Sequence, residues 1–253
     1  KIIIGVGLAR WLYVNRGQIN SWRNLALTFI YAGLPAGLVF FEPDLGSATI
    51  LMSIWFGLIL ISPIRRVYII ILLAIAIAVA GIGWQFVLRD YQKQRVEVFI
   101  NPDLDPQGGG YNVRQAMIAV GSGQWFGRGL GQGVQSGLQF LPEKHTDFVF
   151  AAASEEIGLV GSFSILSLYV ILLSRLIFIM KNSRDDLAMY ITGGVLFMIA
   201  SQATINIGMN VGLLPVTGIP LPLLTAGGSS MLVTAIALGV VQNVAKQSKA
   251  LKF

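Results

Sequence analysis

The sequence predicts an all-α, polytopic membrane protein, and three observations carry that expectation. Hydrophobic residues make up 55% of the 253 and charged residues only 12%, about half the charge of a soluble domain. The mean hydropathy is +0.71. The apolar residues also gather in long runs separated by short charged turns, and a run of ~20 residues is what one membrane crossing needs. With no cysteine and a single histidine, disulfides, thiolate chemistry and a histidine-based metal cluster are excluded. The net charge of +6 does not argue for nucleic acid, because the cytoplasmic loops of membrane proteins are basic in any case.

Taken in order, residues 2–14 form an apolar run too short to span, which reads as the tail of a truncated helix. The chain starts at Lys1 and shows no signal-peptide pattern. A polar turn with Arg16 and Arg23 precedes an uncharged run at 25–41, interrupted by Pro35. Glu42-Pro43-Asp44-Leu45-Gly46 separates it from a second run at 47–61, and the basic turn at 62–66 leads into a full-length run at 67–88. Residues 89–147 are polar and glycine-rich, with a short helix expected at 113–120. Apolar runs then follow at 148–180 and 188–214, a Pro/Gly-rich apolar connection at 215–230, a last run at 231–245 and a basic tail. The expectation is therefore six full transmembrane helices plus one truncated helix in a single membrane domain, 1–253, with no internal repeat.

Orientation follows from lysine and arginine in the short loops. Arg16 and Arg23, Arg65 and Arg66, Lys181 and Arg184, and the lysines of the tail fall on alternate loops, hence on one side, which reads as cytoplasmic. Of the 12 acidic residues, only Asp185 and Asp186 share that side. The Glu42–Asp44 turn, the large loop at 89–147 and the 215–230 connection are then extracytoplasmic.

Several features invite function. The glycines at 121–133 fit neither a dinucleotide fingerprint nor a P-loop and have no strand-helix unit around them. A re-entrant loop whose irregular backbone is buried in protein is the better reading. Gly33-x-x-x-Gly37 and Gly208-x-x-x-Gly212 read as close helix contacts. Met189, Met198 and Met209 read as core packing. Glu42 and Asp44 are either a solvated turn or ionisable groups that face a cavity. Arg89, Lys93 and Arg95, with Asp90 and Glu97, sit past a span end, where snorkelling is common. Their outer placement, unfavoured by topology, points to an anion. Asp147 is expected to open a helix, as an ordinary cap or as a reactive carboxylate. At about 100° per residue, Ala151, Ser154, Gly158 and Gly161 share its face, so that face either packs closely or lines a cleft. Glu155 would lie roughly 12 Å deeper, too far to share a proton. Drawn as one helix, 147–180 would measure ~51 Å against a ~30 Å hydrocarbon core, so the Asp147 end should project to the outer headgroup level.

A specific set of segments resembles one family. They are Glu42-Pro43-Asp44-Leu45-Gly46, Tyr91-Gln92-Lys93-Gln94-Arg95, Asn101-Pro102-Asp103-Leu104-Asp105-Pro106, Gly121-Ser122-Gly123, Gln135-Ser136, Phe140-Leu141-Pro142-Glu143-Lys144-His145-Thr146-Asp147-Phe148, Glu155-Glu156-Ile157-Gly158, Leu214-Pro215-Val216-Thr217-Gly218-Ile219-Pro220-Leu221-Pro222 and Gly227-Gly228-Ser229-Ser230. In order, over nearly the whole chain, they resemble the SEDS family (shape, elongation, division and sporulation), and its RodA-like elongation branch more than its FtsW-like division branch. Glu42 stands where the family usually has Gln, and Thr225-Ala226 where Ser-Tyr is common.

The resemblance implies the last part of a ten-helix fold in the bacterial cytoplasmic membrane, without the family's first three helices. It implies a peptidoglycan glycosyltransferase that polymerises lipid II, a polyprenyl pyrophosphate-linked disaccharide-pentapeptide, at the outer leaflet, for cell-wall elongation and cell shape. It also implies a class B penicillin-binding protein as partner. On that reading Asp147 is the catalytic base, since a sugar hydroxyl attacking an anomeric carbon wants one in hydrogen-bond reach. Arg95 and Lys144 meet the charge developing on the leaving pyrophosphate, and Asp44, Gln115, His145 and Thr146 bind substrate. No cofactor is called for; a divalent cation at the pyrophosphate is compatible with these residues but not required by them. The rival class is a flippase or transporter of the lipid-linked precursor, suited by the proline break at 215–222. Against it, the inner halves of the spans are almost uncharged, Arg175 being the exception.

Overall fold

The computed structural model of the chain describes residues 1–42, 44–86, 90–137 and 146–249. Ten α-helices follow one another among these residues: α1 (Ile2–Val14), α2 (Trp22–Phe41), α3 (Leu45–Ile61), α4 (Arg66–Phe86), α5 (Asp90–Ile100), α6 (Gly109–Ser122), the single turn α7 (Val134–Gly137), α8 (Val149–Lys181), α9 (Asp186–Asn210) and α10 (Gly228–Lys249). No strand occurs among the described residues. Five segments are long and apolar enough to cross a membrane: Trp22–Phe41, Arg66–Gly83, Val149–Lys181, Asp186–Asn210 and Gly228–Ser248. α1 and α3 are apolar but shorter. The spans carry large apolar side chains outward, with Ile77 on α4 at 74% exposure and Leu168 on α8 at 66%. Hydrocarbon accepts such a surface and water does not. Pro35 lies inside α2 without ending it, as proline does in spanning helices where neighbours satisfy the freed carbonyl.

The chain divides into two compact units, the first made of Lys1–Ala78, Ile171–Ser201 and Leu232–Phe253, the second of Val79–Val170 and Gln202–Met231. In the first unit, α1, α2 and α3 pack together. Ala36, Ala48 and Leu51 meet between α2 and α3, with Ile4 of α1 against them. The small side chains let the helix axes approach, which is how spanning helices associate without a hydrophobic driving force. Trp55 of α3 is buried, stacks edge-on to Phe29 at 5.2 Å and donates its indole N–H to Thr28 Oγ1 at 3.2 Å. The basic turns gather at one end. Asn20 Oδ1 accepts from the Arg65 N–H at 2.8 Å, Tyr68 OH donates to Asn20 O at 2.9 Å, and Arg16 pairs with Asp186 at 2.9 Å.

The second unit is built around a break in α8. Gly158 has φ 69° and ψ −167°, outside any helical region, in backbone space that is essentially glycine's alone. The glycine-rich turn after α6 fills the break. The N–H groups of Arg128 and Gly129 donate to Glu155 O and Glu156 O, both at 3.0 Å. Leu159 and Val160 donate back to Gln124 O and Trp125 O at 2.8 and 3.1 Å. The four α8 groups among these, the carbonyls of Glu155 and Glu156 and the N–H groups of Leu159 and Val160, are those the interrupted ladder would orphan, and an unpaired buried amide is costly. Of the glycines expected to form a loop buried in protein, Gly123, Gly127 (φ 81°) and Gly129 lie against the α8 backbone, whereas a β-carbon at Gly121 or Gly131 would meet nothing within 4 Å.

The break corrects two expectations. Positions 147–180 are not one 51 Å rod: beyond Gly158, residues 159–181 rise roughly 34 Å, close to the ~30 Å core. The shared face of Asp147, Ala151, Ser154, Gly158 and Gly161 also ends at the break. In the polar segment, the helix expected at 113–120 extends over Gly109–Ser122, and α5 was not foreseen. α5 shows no clean apolar stripe, because its charged side chains alternate with the few apolar ones that pack, Val98 among them.

Candidate active site

The site forms in the second unit where three segments meet: the turn before α8, the C-terminal end of α9 and the connection at 211–227. α8 starts at Val149, so Asp147 lies in the preceding turn rather than at the first helical position. Below it, Phe148 and Ala151 pack on Ala116 and Ala119 of α6, with Val216 of the connection against the same cluster. This is why the near face of α8 reads as small: two helices come together there with alanine against alanine.

The main chain around Asp147 is held by buried amides. Asn206 and Asn210, one turn apart on α9, are both fully buried. Both donate from Nδ2 to the Asp147 carbonyl, at 2.9 and 3.0 Å. Asn206 Nδ2 also donates to Ile219 O at 2.7 Å. The hydroxyl of Thr225 donates to Thr146 O at 3.1 Å and accepts from the Leu221 N–H at 2.8 Å. A methyl group placed on Gly218 (φ 70°) would stand 3.6 Å from Asp147 Oδ2, so the carboxylate lies along the Gly218 turn of the connection.

A cleft of about 250 Å³ opens in the same unit, lined by Tyr91, Gln94, Arg95 and Val98 of α5, Asp105, Gly109 and Val113 of the following segment, and Val216. Arg95 is exposed in it. The cleft floor is fixed by the Asn101-Pro102-Asp103-Leu104-Asp105-Pro106 turn, where Asn101 Oδ1 accepts from the Asp103 N–H at 3.1 Å and Asp105 Oδ2 from the Gly109 N–H at 2.7 Å. Arg114 pairs with Asp103. The connection links cleft and carboxylate, with Val216 in the cleft wall and Gly218 beside Asp147.

Of the residues singled out in sequence, Asp147, Thr146, Arg95 and Gln115 all fall in the second unit. Gln115 Oε1 is buried without a hydrogen-bond partner among the described residues. Asp44 belongs to the first unit, exposed, where it caps α3 by accepting from the Ser47 N–H at 2.8 Å. Lys144 and His145 lie outside the described residues. Thr225 entered the sequence reading only as a departure from the family's usual wording, and Asn206 and Asn210 escaped it. Their signal was available: Gln202, Asn206 and Asn210 recur every four residues along an otherwise apolar helix, and polar groups at membrane depth face a partner by default. Glu155, read as an outer acidic residue too deep to share a proton with Asp147, is fully buried and accepts from the Gln135 N–H at 2.9 Å, so it anchors α7 to α8.

Comparison with known proteins agrees along the chain. A family model described as "Cell cycle protein", named for FtsW, RodA and SpoVE, matches residues 1–250. The peptidoglycan glycosyltransferase MrdB of Escherichia coli K12 is 36% identical over 252 residues, 99% of this chain and 68% of MrdB. The stage V sporulation protein E of Bacillus subtilis is likewise 36% identical, over 98% of this chain and 68% of that protein. Among solved structures, a chain of a peptidoglycan synthase complex superposes with a TM-score of 0.79 at 28% identity, over 97% of this chain and 68% of that one. The rod shape determining protein RodA of Thermus thermophilus gives 0.63 at 25% identity, over 98% and 64%. The sequence thus spans about two thirds of the length of these relatives.

Proposed function

The chain belongs to the FtsW/RodA/SpoVE family of multi-pass membrane proteins, and from that membership we propose a peptidoglycan glycosyltransferase that polymerises lipid II at the outer face of the bacterial cytoplasmic membrane. The observation that carries the activity is the 36% identity, over nearly the whole chain, to a protein named for it. α3 serves as a sixth crossing and α1 as part of a seventh, within a ten-helix whole. The segment at 89–147 is extracytoplasmic, and a class B penicillin-binding protein is the partner that cross-links the product. Transfer, not transport, is the reading that relatives named as glycosyltransferases support.

In the reaction, a sugar hydroxyl of the acceptor attacks the anomeric carbon of the donor. A new C–O bond forms, the bond to the polyprenyl pyrophosphate breaks, and the hydroxyl proton passes to the base. Asp147 is that base. Its main-chain carbonyl accepts from Asn206 and Asn210, and the carbonyl before it, Thr146 O, accepts from the Thr225 hydroxyl, while its carboxylate lies along the glycine turn at Gly218. Arg95, in the cleft sharing the same connection, and Lys144 stabilise the leaving pyrophosphate; Thr146, His145 and Gln115 contact substrate. The chemistry as written needs no cofactor.

Asp147→Asn tests the assignment cleanly. The contacts from Asn206 and Asn210 go to the main-chain oxygen, so the substitution leaves them in place while it removes the charge and basicity of the carboxylate. The expected loss in glycan polymerisation from lipid II is about 10²- to 10⁴-fold, close to that of Asp147→Ala. Wild-type polymerisation by Asp147→Asn would end the assignment.

A further inference from the structure

Asn210 occupies the place of a missing helical hydrogen bond. In an uninterrupted helix the Ala151 N–H would donate to the carbonyl four residues back, at Asp147. Here the Asn210 carboxamide stands between the two: Oδ1 accepts from the Ala151 N–H at 3.0 Å and Nδ2 donates to Asp147 O at 3.0 Å. A carboxamide is suited to this because it presents one acceptor and two donors from a single plane, so it bridges a broken N–H···O=C pair and leaves neither half orphaned. The second Nδ2 hydrogen donates to Asn206 O at 2.8 Å, which ties the wedge to its own helix. Asn206 then spans from Asp147 O to Ile219 O, joining the turn before α8 to the connection that runs past the carboxylate.

We infer that Asn210 and Asn206 are positioning residues. By holding the first turn of α8 open, they keep Asp147 off the helical path and in register with the Gly218–Ile219 backbone. This rests on the reading of Asp147 as the base. Were Asn210 absent, Ala151 N–H and Asp147 O could close directly, α8 would begin one residue earlier, and the carboxylate would swing with the helix. Neither asparagine touches the substrate in this account; both act through the position of residue 147.

The test uses the full-length protein and purified lipid II, with Asn210→Ala, Asn206→Ala and Asp147→Asn assayed side by side. Misplacing a catalytic group by about 1 Å costs up to ~100-fold in rate, so each asparagine variant should lose about 10- to 100-fold in kcat. KM for lipid II should stay within about twofold, because uniform binding is untouched. The expected signature in the doubly substituted protein is non-additivity: once Asp147 is Asn, removing Asn210 should reduce the residual rate little further. Thr225→Val provides a second variant if the alanine proteins fail to fold. It removes the hydroxyl from Thr146 O while keeping the side-chain shape, and it should lower kcat severalfold. Asparagine or Thr225→Val proteins with wild-type kcat, beside an inactive Asp147→Asn, would overturn the positioning role and leave the base assignment standing. So would a loss of equal size in both backgrounds, or a loss confined to KM or melting temperature. An active Asp147→Asn would remove the base assignment and this inference with it.

Discussion

Gly158→Ala should unfold the centre of the second unit, and the structure sets the size of the effect. A β-carbon at Gly158 would meet Gly127 N at 2.2 Å and the Phe126 backbone at 2.7 and 2.8 Å. All of these are main-chain atoms that cannot rotate away. The glycine also sits at φ 69° and ψ −167°, where a side-chain-bearing residue adds a conformational cost of about 1–3 kcal/mol. Relieving the clash means moving the glycine-rich turn off α8 and breaking the four backbone hydrogen bonds exchanged across the break. At about 0.5–1.5 kcal/mol net each, that is a further ~2–6 kcal/mol. A loss of at least ~3 kcal/mol is therefore expected, a large share of the ~5–15 kcal/mol that holds a typical protein folded. Gly121→Ala is the control: its β-carbon meets nothing within 4 Å, and inside α6 alanine should stabilise by about 0.5–1 kcal/mol. Thermal unfolding of the detergent-purified full-length protein measures both. Hydrogen exchange at Arg128, Gly129, Leu159 and Val160 reports whether the turn has left α8. A Gly158→Ala protein within about 1 kcal/mol of wild type, with those amides still protected, would refute the backbone-docking account.

Arg95→Ala should lower polymerisation by about 100- to 1,000-fold without loss of folding, because the side chain is exposed in its cleft; unchanged turnover would mean that Arg95 only snorkels. Thr28→Val leaves the buried Trp55 indole N–H without the acceptor it now has. It should therefore destabilise the first unit by about 1–3 kcal/mol, read as a lowered melting temperature at normal lipid II turnover. With no native cysteine, a single cysteine at Gln107 should react with an impermeant thiol reagent in intact cells and one at Arg184 should not. The reverse pattern would invert the orientation.

What the sequence determined by itself is what depends on local composition. Apolar runs between charged turns were enough for the helical membrane class, since a chain in hydrocarbon has to satisfy its own amides within each span. The alternation of basic turns put those holding Arg16, Arg65 and Asp186 on one side, and in the first unit Arg16 pairs with Asp186 while Asn20, four residues on, accepts from the Arg65 N–H. Wording local to Asp147 and Arg95 was enough to single them out as candidates. Tertiary structure decided whatever depends on a partner distant in sequence. Glycine at 158 looked like one more small residue on a helix face; only the turn at 123–129, docked backbone to backbone, makes it a break, because the hydrogen bonds that stabilise the break belong to another segment. Asp147 looked like a helix cap. Its neighbour Ala151 is instead capped by Asn210, 59 positions away, and no periodicity within α8 could announce a carboxamide arriving from α9.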